Sequence, residues 1–345
     1  MSAPFPQTRY QGSKLKLINW YIPIFRQIKF DTVLDGFGGT AVVSHMFKRM
    51  GKKVTYNDYL ISNWHIGKAL IENSSIKFDL NEVPDLFERK KNTTYQTVIQ
   101  DTFQDIYYTD EENQLLDILA QNIQQLENEY KKALAYFALF QACIQKRPFN
   151  LFHRKNLYIR FKDVERSFGN KKTWDTSFLV LFLRALKQAN KSVFDNGQKN
   201  VTLNHSIFDI KIPKEGYDLV YLDPPYISPK GVGVDYRDFY HFLEGICMYS
   251  NWKSMLDYKS KHRRLIHEKN PWTNPNQNLE AFEKTIKKFQ DSKIVVSYRN
   301  PGLPTLESLR SILLSYKKGV IVEEKDYKYV LTSKRKRVKE TLIIA

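Results

Sequence analysis

The sequence predicts an α/β fold, a mostly parallel sheet interrupted by a mostly helical, basic insertion. Three observations carry this. Residues 31–58 read as a strand, a glycine-bearing turn, a helix and a second strand, which is one βαβ unit. Apolar strand runs resume only near Val201 and again over residues 217–222. Between them lies a stretch whose apolar residues recur with helical spacing. The expected division is a first core part over residues 1–80, an insertion over 81–197 and a second core part over 198–345.

Residues 31–34 form a short apolar strand run, followed by the turn Asp35-Gly36-Phe37-Gly38-Gly39-Thr40. Residues 41–47 read as a helix packed on a sheet, and Gly51 closes it. Residues 53–58 read as the second strand. From about Leu80 to Gly197 the pattern changes. Leu115, Leu119, Ile123, Leu126, Tyr130, Leu134 and Phe137 share one face of a long helix-periodic stretch. The chain then turns basic and aromatic over 146–166. After the run 217–222 a helix and loop block spans about 239–289, and 293–298 reads as another strand. Two last apolar runs, 320–323 and 340–344, flank a basic linker and read as a closing antiparallel pair.

The 345 residues carry 54 Lys and Arg against 37 Asp and Glu, a formal charge of +17. An enzyme of small metabolites has no need of such a field; a polyanionic partner accounts for it. The 42% hydrophobic content suffices for a core. Cys143 and Cys247 are far apart and in no ligand spacing, and the seven histidines form no metal motif, so neither disulfide nor metal is expected. A reducing cytoplasm is the expected compartment. No run has the length of a membrane span, and none reads as a signal peptide.

The chemistry concentrates in Asp223-Pro224-Pro225-Tyr226, at the carboxyl end of the run 217–222. Open α/β sheets bind ligands at that edge. Proline removes N–H donors, keeps carbonyl acceptors and fixes φ. A carboxylate, two prolines and an aromatic ring thus make a rigid wall that accepts hydrogen bonds from an amino group on a planar base. Gly36-x-Gly38-x-x-Ala41 satisfies a dinucleotide fingerprint, with Asp58 about 20 residues on, where a ribose acceptor belongs. Nicotinamide and S-adenosylmethionine enzymes share that geometry, so the glycine loop alone does not choose between them.

Asp-Pro-Pro-Tyr resembles the catalytic motif of the N6-adenine DNA methyltransferases, and the loop 35–40 resembles their glycine motif in loose form. Thr8-Arg9-Tyr10-Gln11-Gly12-Ser13-Lys14 resembles the Arg-Tyr-x-Gly-Ser-Lys opening of the DNA adenine methylases. The resemblance covers about 8–58 and 201–226, with weaker echoes at Ser297-Tyr298 and at 339–342. It implies a Rossmann-like, S-adenosylmethionine-dependent methyltransferase core, with a seven-stranded sheet whose last strand pair contains the antiparallel strand. It implies Asp223, Pro224, Pro225 and Tyr226 as catalytic residues. Tyr10, Gly12, Lys14, Asp35, Phe37, Gly38, Gly39, Thr40 and Asp58 would bind the cofactor, with Lys14 or the backbone near Gly12 meeting its carboxylate. The family places an acid near the cofactor's adenine; here the matching stretch is Asn204-His205-Ser206-Ile207-Phe208-Asp209, which departs from it. Either Ser206 replaces the acid or Asp209 serves, and the register favoured puts Phe208 and Asp209 there.

The family's basic hairpin resembles the stretch 143–160, in which Lys146, Arg147, Asn150, Arg154 and Lys155 offer donors for phosphates and bases. The insertion would then recognise sequence in double-stranded DNA, and the resemblance implies a restriction system with a cognate endonuclease acting separately. Lys334-Arg335-Lys336-Arg337 reads as a solvated hairpin loop, and His241 as a packing or hydrogen-bonding residue. Methylation of adenosine N6 in RNA and of cytosine N4 stay open as alternatives. A nicotinamide-dependent oxidoreductase fits the glycine loop and Asp58, but leaves the opening motif, residues 223–226 and the charge unexplained.

Overall fold

The computed structural model describes residues 3–162, 171–327 and 338–345. Among them seven strands form one sheet: β1 (Thr32–Asp35), β2 (Lys53–Asn57), β3 (Val201–Leu203), β4 (Leu219–Leu222), β5 (Lys293–Asn300), β6 (Ile321–Asp326) and β7 (Lys339–Ile344). Their order is β3-β2-β1-β4-β5-β7-β6. β1 to β5 run parallel, and β7 is antiparallel to both its neighbours. This is the sheet the sequence predicts, with the antiparallel strand in the last pair.

The inner strands are apolar because both faces are covered; all four residues of β4 are buried. β6 lies at the edge and carries Glu323, Glu324, Lys325 and Asp326, charges that discourage pairing with another chain. From β1 the chain winds outward through β2 to β3, then returns to place β4 on the other side of β1. The turns after β1 and β4 therefore diverge at the carboxyl edge, and the crevice between them is where such sheets take ligands.

The helix-periodic stretch is two helices, not one: Asp110–Gln124 and Glu129–Gln145. Thr109 and Glu112 form a capping box on the first. Asn128 caps the second by accepting from the backbone of Tyr130 and Lys131. The apolar period runs on across the break because both helices bury their faces in the same core. Glu129–Gln145 packs against Phe178–Ser192. Leu116, Phe137 and Leu181, from the stretch 81–197, share one buried cluster with Val33 and Tyr221 of the sheet. The block 239–289 resolves into a buried helix, His241–Cys247, two short 3-10 turns and the amphipathic helix Asn278–Lys288. No helix among the described residues is long and apolar enough to cross a membrane. The basic run 334–337 lies outside the described residues.

Candidate active site

A cleft of about 290 Å³ opens at the carboxyl edge, lined by residues 10–14, 35–40, 205–208, 223–226 and 268–272 together with Asp58. The opening segment, the glycine loop and the Asp-Pro-Pro-Tyr turn, far apart in the chain, thus meet in one place.

The glycine loop is shaped by close approach. A Cβ on Gly38 would lie 2.0 Å from the Tyr56 ring, so only glycine passes there. The Tyr56 hydroxyl shares its one hydrogen between the carbonyls of Gly39 (2.7 Å) and Asn63 (2.9 Å), tying loop to helix. Asp58, just beyond β2, accepts the Gly39 N–H and the Leu60 N–H, each at 2.8 Å. Burial pushes its carboxyl up to about 6, against the pull of those two N–H groups. Asp35, at the end of β1, takes the Ser44 hydroxyl on Oδ2 at 2.7 Å. Among the described residues its buried Oδ1 has no hydrogen-bond partner of good geometry, and burial pushes this carboxyl up to about 7 against the Ser44 hydroxyl and the Phe37 backbone.

On the other wall, Gly12 takes a left-handed φ of 84°, and a Cβ there would strike the Tyr236 hydroxyl. Tyr10 stacks on Tyr240 with centroids 4.2 Å apart. Lys14 is buried, and its ammonium does not stand free for a cofactor carboxylate. It bonds Glu340 Oε1 at 2.8 Å, Asp223 Oδ1 at 3.2 Å and the Tyr226 hydroxyl. Burial alone would lower the Lys14 ammonium; the two carboxylates outweigh it and hold it raised.

Asp223 Oδ1 receives three donors: the Tyr226 hydroxyl at 2.6 Å, the Ser297 hydroxyl at 3.3 Å and Lys14. No hydrogen bond among the described residues engages Oδ2. Burial pushes the Asp223 carboxyl up and the neighbouring Lys14 ammonium opposes this. The single Ser297 hydrogen is shared with Glu340 Oε1, the nearer acceptor at 2.7 Å, and Tyr21 adds a hydroxyl to Glu340 at 3.1 Å. Glu340, Ser297 and Tyr21 form a support that sequence reasoning did not assign. The signal for Glu340 was a carboxylate inside an apolar strand run; burying it demands a partner. Tyr236 and Trp272 also line the cleft without a sequence motif to announce them.

Three expectations need correction. Asp209 is exposed and lies outside the cleft; Ser206 and Phe208 line it, with Phe208 stacked on Trp272 at 5.9 Å. Lys146 is buried, its Nζ held by Glu112 and by the carbonyls of Trp174 and Thr176. Arg147 is 1% exposed, its guanidinium 3.8 Å from the Phe152 ring centroid and 4.4 Å from that of Tyr107. These two cations serve packing, because the stretch closes a helix into the core and is no free hairpin. Asn150, Arg154 and Lys155 are exposed. His241 is a buried packing residue, between the Tyr107 hydroxyl at 2.9 Å and the Phe152 carbonyl at 3.0 Å. Among the described residues Asp235, Asp238 and His267 bring ligand atoms within 4.8 Å of one another, and Arg264 already pairs with Asp238 at 3.7 Å.

The chain matches, over residues 10–301, the family described as D12 class N6 adenine-specific DNA methyltransferase. It is 30% identical over 348 residues to Type II methyltransferase M2.HphI of Haemophilus parahaemolyticus, covering 99% of this chain and 97% of that one. Over 349 residues it is 26% identical to Modification methylase StsI of Streptococcus sanguinis, covering 93% of this chain and 48% of the relative. Over 333 residues it is 27% identical to Type II methyltransferase M.FokI of Planomicrobium okeanokoites, covering 89% and 47%. The chain thus spans nearly all of the first relative and about half the length of the other two.

Proposed function

The chain belongs to the D12 class N6 adenine-specific DNA methyltransferase family, and on that footing we propose that its cleft takes S-adenosylmethionine and a single adenine turned out of double-stranded DNA. Membership sets aside the nicotinamide alternative. The proposal extends to the role: modification enzyme of a restriction system, acting in the cytoplasm beside a separate endonuclease.

The donor set fits that cofactor. Asp35 Oδ1, buried and without a hydrogen-bond partner among the described residues, suits an ammonium such as that of the methionine end. Asp58 keeps lone pairs for ribose hydroxyls beyond its two N–H bonds. Phe208 and Trp272 offer aromatic faces for an adenine ring. When bound, the cofactor supplies a methyl activated by the attached sulfonium.

The observation that carries the reading is the asymmetry of Asp223. Oδ1 is held by Lys14, Tyr226 and Ser297, and Oδ2 is left for a donor from the cleft. The N6 lone pair of adenine is delocalised into the ring, so the amino group is a poor nucleophile. Asp223 Oδ2 accepts one amino hydrogen and the Pro224 carbonyl the other, which favours a pyramidal nitrogen with its lone pair toward the methyl. Lys14, itself anchored by Glu340, keeps the Asp223 carboxylate from turning away. Holding the reacting atoms about 3–3.5 Å apart supplies much of the rate. The base must leave the stack, since its amino group is out of reach within a duplex.

The test is product analysis. The purified protein is incubated with labelled S-adenosylmethionine and either duplex DNA or RNA of matching sequence, and the nucleosides are separated. Label in N6-methyladenine from duplex DNA is the expected result. Label on cytosine, or on RNA alone, would sink the proposal.

A further inference from the structure

A second surface cleft lies between Lys155 and a turn that carries Tyr258, Lys259, Lys261 and Arg263. Residues 253–264 hold five cations, Lys253, Lys259, Lys261, Arg263 and Arg264, against one acid, Asp257. The acids nearby are already taken, Asp101 by Lys253 at 2.9 Å and Asp257 by Arg264 at 3.3 Å. Lys155, Lys259 and Lys261 are exposed, and none makes an ion pair among the described residues.

The turn is built rather than loose. Buried Leu256 and Leu265 bridge its base, with Asp257 N–H to the Arg264 carbonyl and Ile266 N–H to the Met255 carbonyl, both at 2.8 Å. The His262 carbonyl accepts the buried Tyr107 hydroxyl at 3.1 Å. Arg263 takes a left-handed φ of 54° and lies 5.6 Å over the Tyr258 ring, which is 55% exposed. A preformed site loses less in ordering when it binds. The turn also adjoins the catalytic cleft: the chain passes from it into residues 268–272 of the cleft wall, and Arg264 pairs with Asp238.

We propose that the turn 256–265, together with Lys155, grips the phosphate backbone of the DNA whose target base enters the catalytic cleft. This rests on the double-stranded DNA reading above. It moves part of the DNA-contacting surface out of the insertion and into the second part of the core. Lys146 and Arg147, buried, leave that charge to be supplied elsewhere, and this turn supplies it. Phosphates carry no sequence information, so the turn sets affinity and orientation and leaves base choice to other residues.

The experiment compares the parent protein with the double variant Lys259→Ala/Lys261→Ala, with Lys155→Ala, and with a charge-matched control, Lys214→Ala/Lys318→Ala, at exposed positions. DNA affinity is measured by fluorescence anisotropy on a duplex oligonucleotide across a salt series. The log–log salt slope of the turn variant should be shallower than the parent's by about 1.8, 0.9 for each phosphate contact removed, and its affinity should be roughly ten- to thirtyfold weaker at about 0.15 M salt. Lys155→Ala should lose about 0.9 from the slope. The control should match the parent, and binding of S-adenosylhomocysteine should be equal in all. An unchanged slope in the double turn variant or in Lys155→Ala, or the same loss in the control, overturns the proposal. A parent that methylates adenine in RNA and not in duplex DNA instead overturns the reading on which it rests, so the two failures are told apart.

Discussion

Glu340 and Asp223 hold one ammonium between them across the width of β5. Lys14 Nζ lies 2.8 Å from the first and 3.2 Å from the second, and Ser297 on β5 joins the same two oxygens by its hydroxyl. Two carboxylates this close, Glu340 buried and Asp223 half-buried, would repel, and the shared ammonium makes the arrangement tolerable. Glu340→Gln keeps the shape and removes one charge. We expect kcat to fall about tenfold, equivalent to one hydrogen bond at about 1.4 kcal/mol. The Glu340 charge raises Asp223, so in the variant Asp223 ionises at lower pH and the acid limb of the rate profile moves down. A limb that stays or moves up contradicts this coupling.

Asp223→Ala should abolish methyl transfer, by at least about 10²-fold, and leave the fold and cofactor binding intact. Single-turnover rates, calorimetry with S-adenosylhomocysteine and thermal melting separate these three quantities. Near-normal methylation of adenine N6 refutes the mechanism.

Tyr226 holds Asp223 Oδ1 with its hydroxyl as well as offering a ring face to the cleft. Tyr226→Phe should keep DNA affinity within about twofold and lose about tenfold in kcat, as for one hydrogen bond. Tyr226→Ala should lose both. A Phe variant with full kcat would show that only the ring matters.

Asp58→Ala should weaken cofactor binding by roughly tenfold or more, since a hydrogen bond to a charged group contributes about 1.5–3 kcal/mol. The Gly39 N–H loses its acceptor at the same time. Unchanged affinity in calorimetry removes Asp58 from the binding site.

If Asp35, pushed up to about 7 by burial, meets the cofactor's ammonium as proposed, cofactor affinity should depend on pH. Its ionised form is the one that attracts an ammonium. Affinity should therefore rise as pH climbs toward about 7 and level off above it, and Asp35→Asn should flatten that segment of the profile. The stability of the cofactor-free protein runs the other way. Between the unfolded carboxylate value, about 3.9, and 7 the folded protein holds the extra proton, so stability falls as pH rises through that window. Thermal melts from pH 5 to 8 check the sign.

The sequence by itself determined what is local or periodic. The βαβ unit, the apolar strand runs, the glycine loop and the Asp-Pro-Pro-Tyr turn were legible because each depends on neighbours a few residues apart. Their meeting in one cleft followed from the rule that open sheets bind ligands at the carboxyl edge. Only the tertiary structure decided which charges face inward. Lys146 and Arg147 look on paper like the exposed cations Arg154 and Lys155, and composition carries no direction. It also decided the task of Lys14, whose partners Asp223 and Glu340 are distant in the chain and come near it only when β7 inserts beside β5. Burial supplies the physical reason. A charge inside must find an opposite charge, a hydrogen bond or, as for Arg147, whose guanidinium nitrogens make no hydrogen bond among the described residues, an aromatic face, and that partner is set by how the chain folds back on itself.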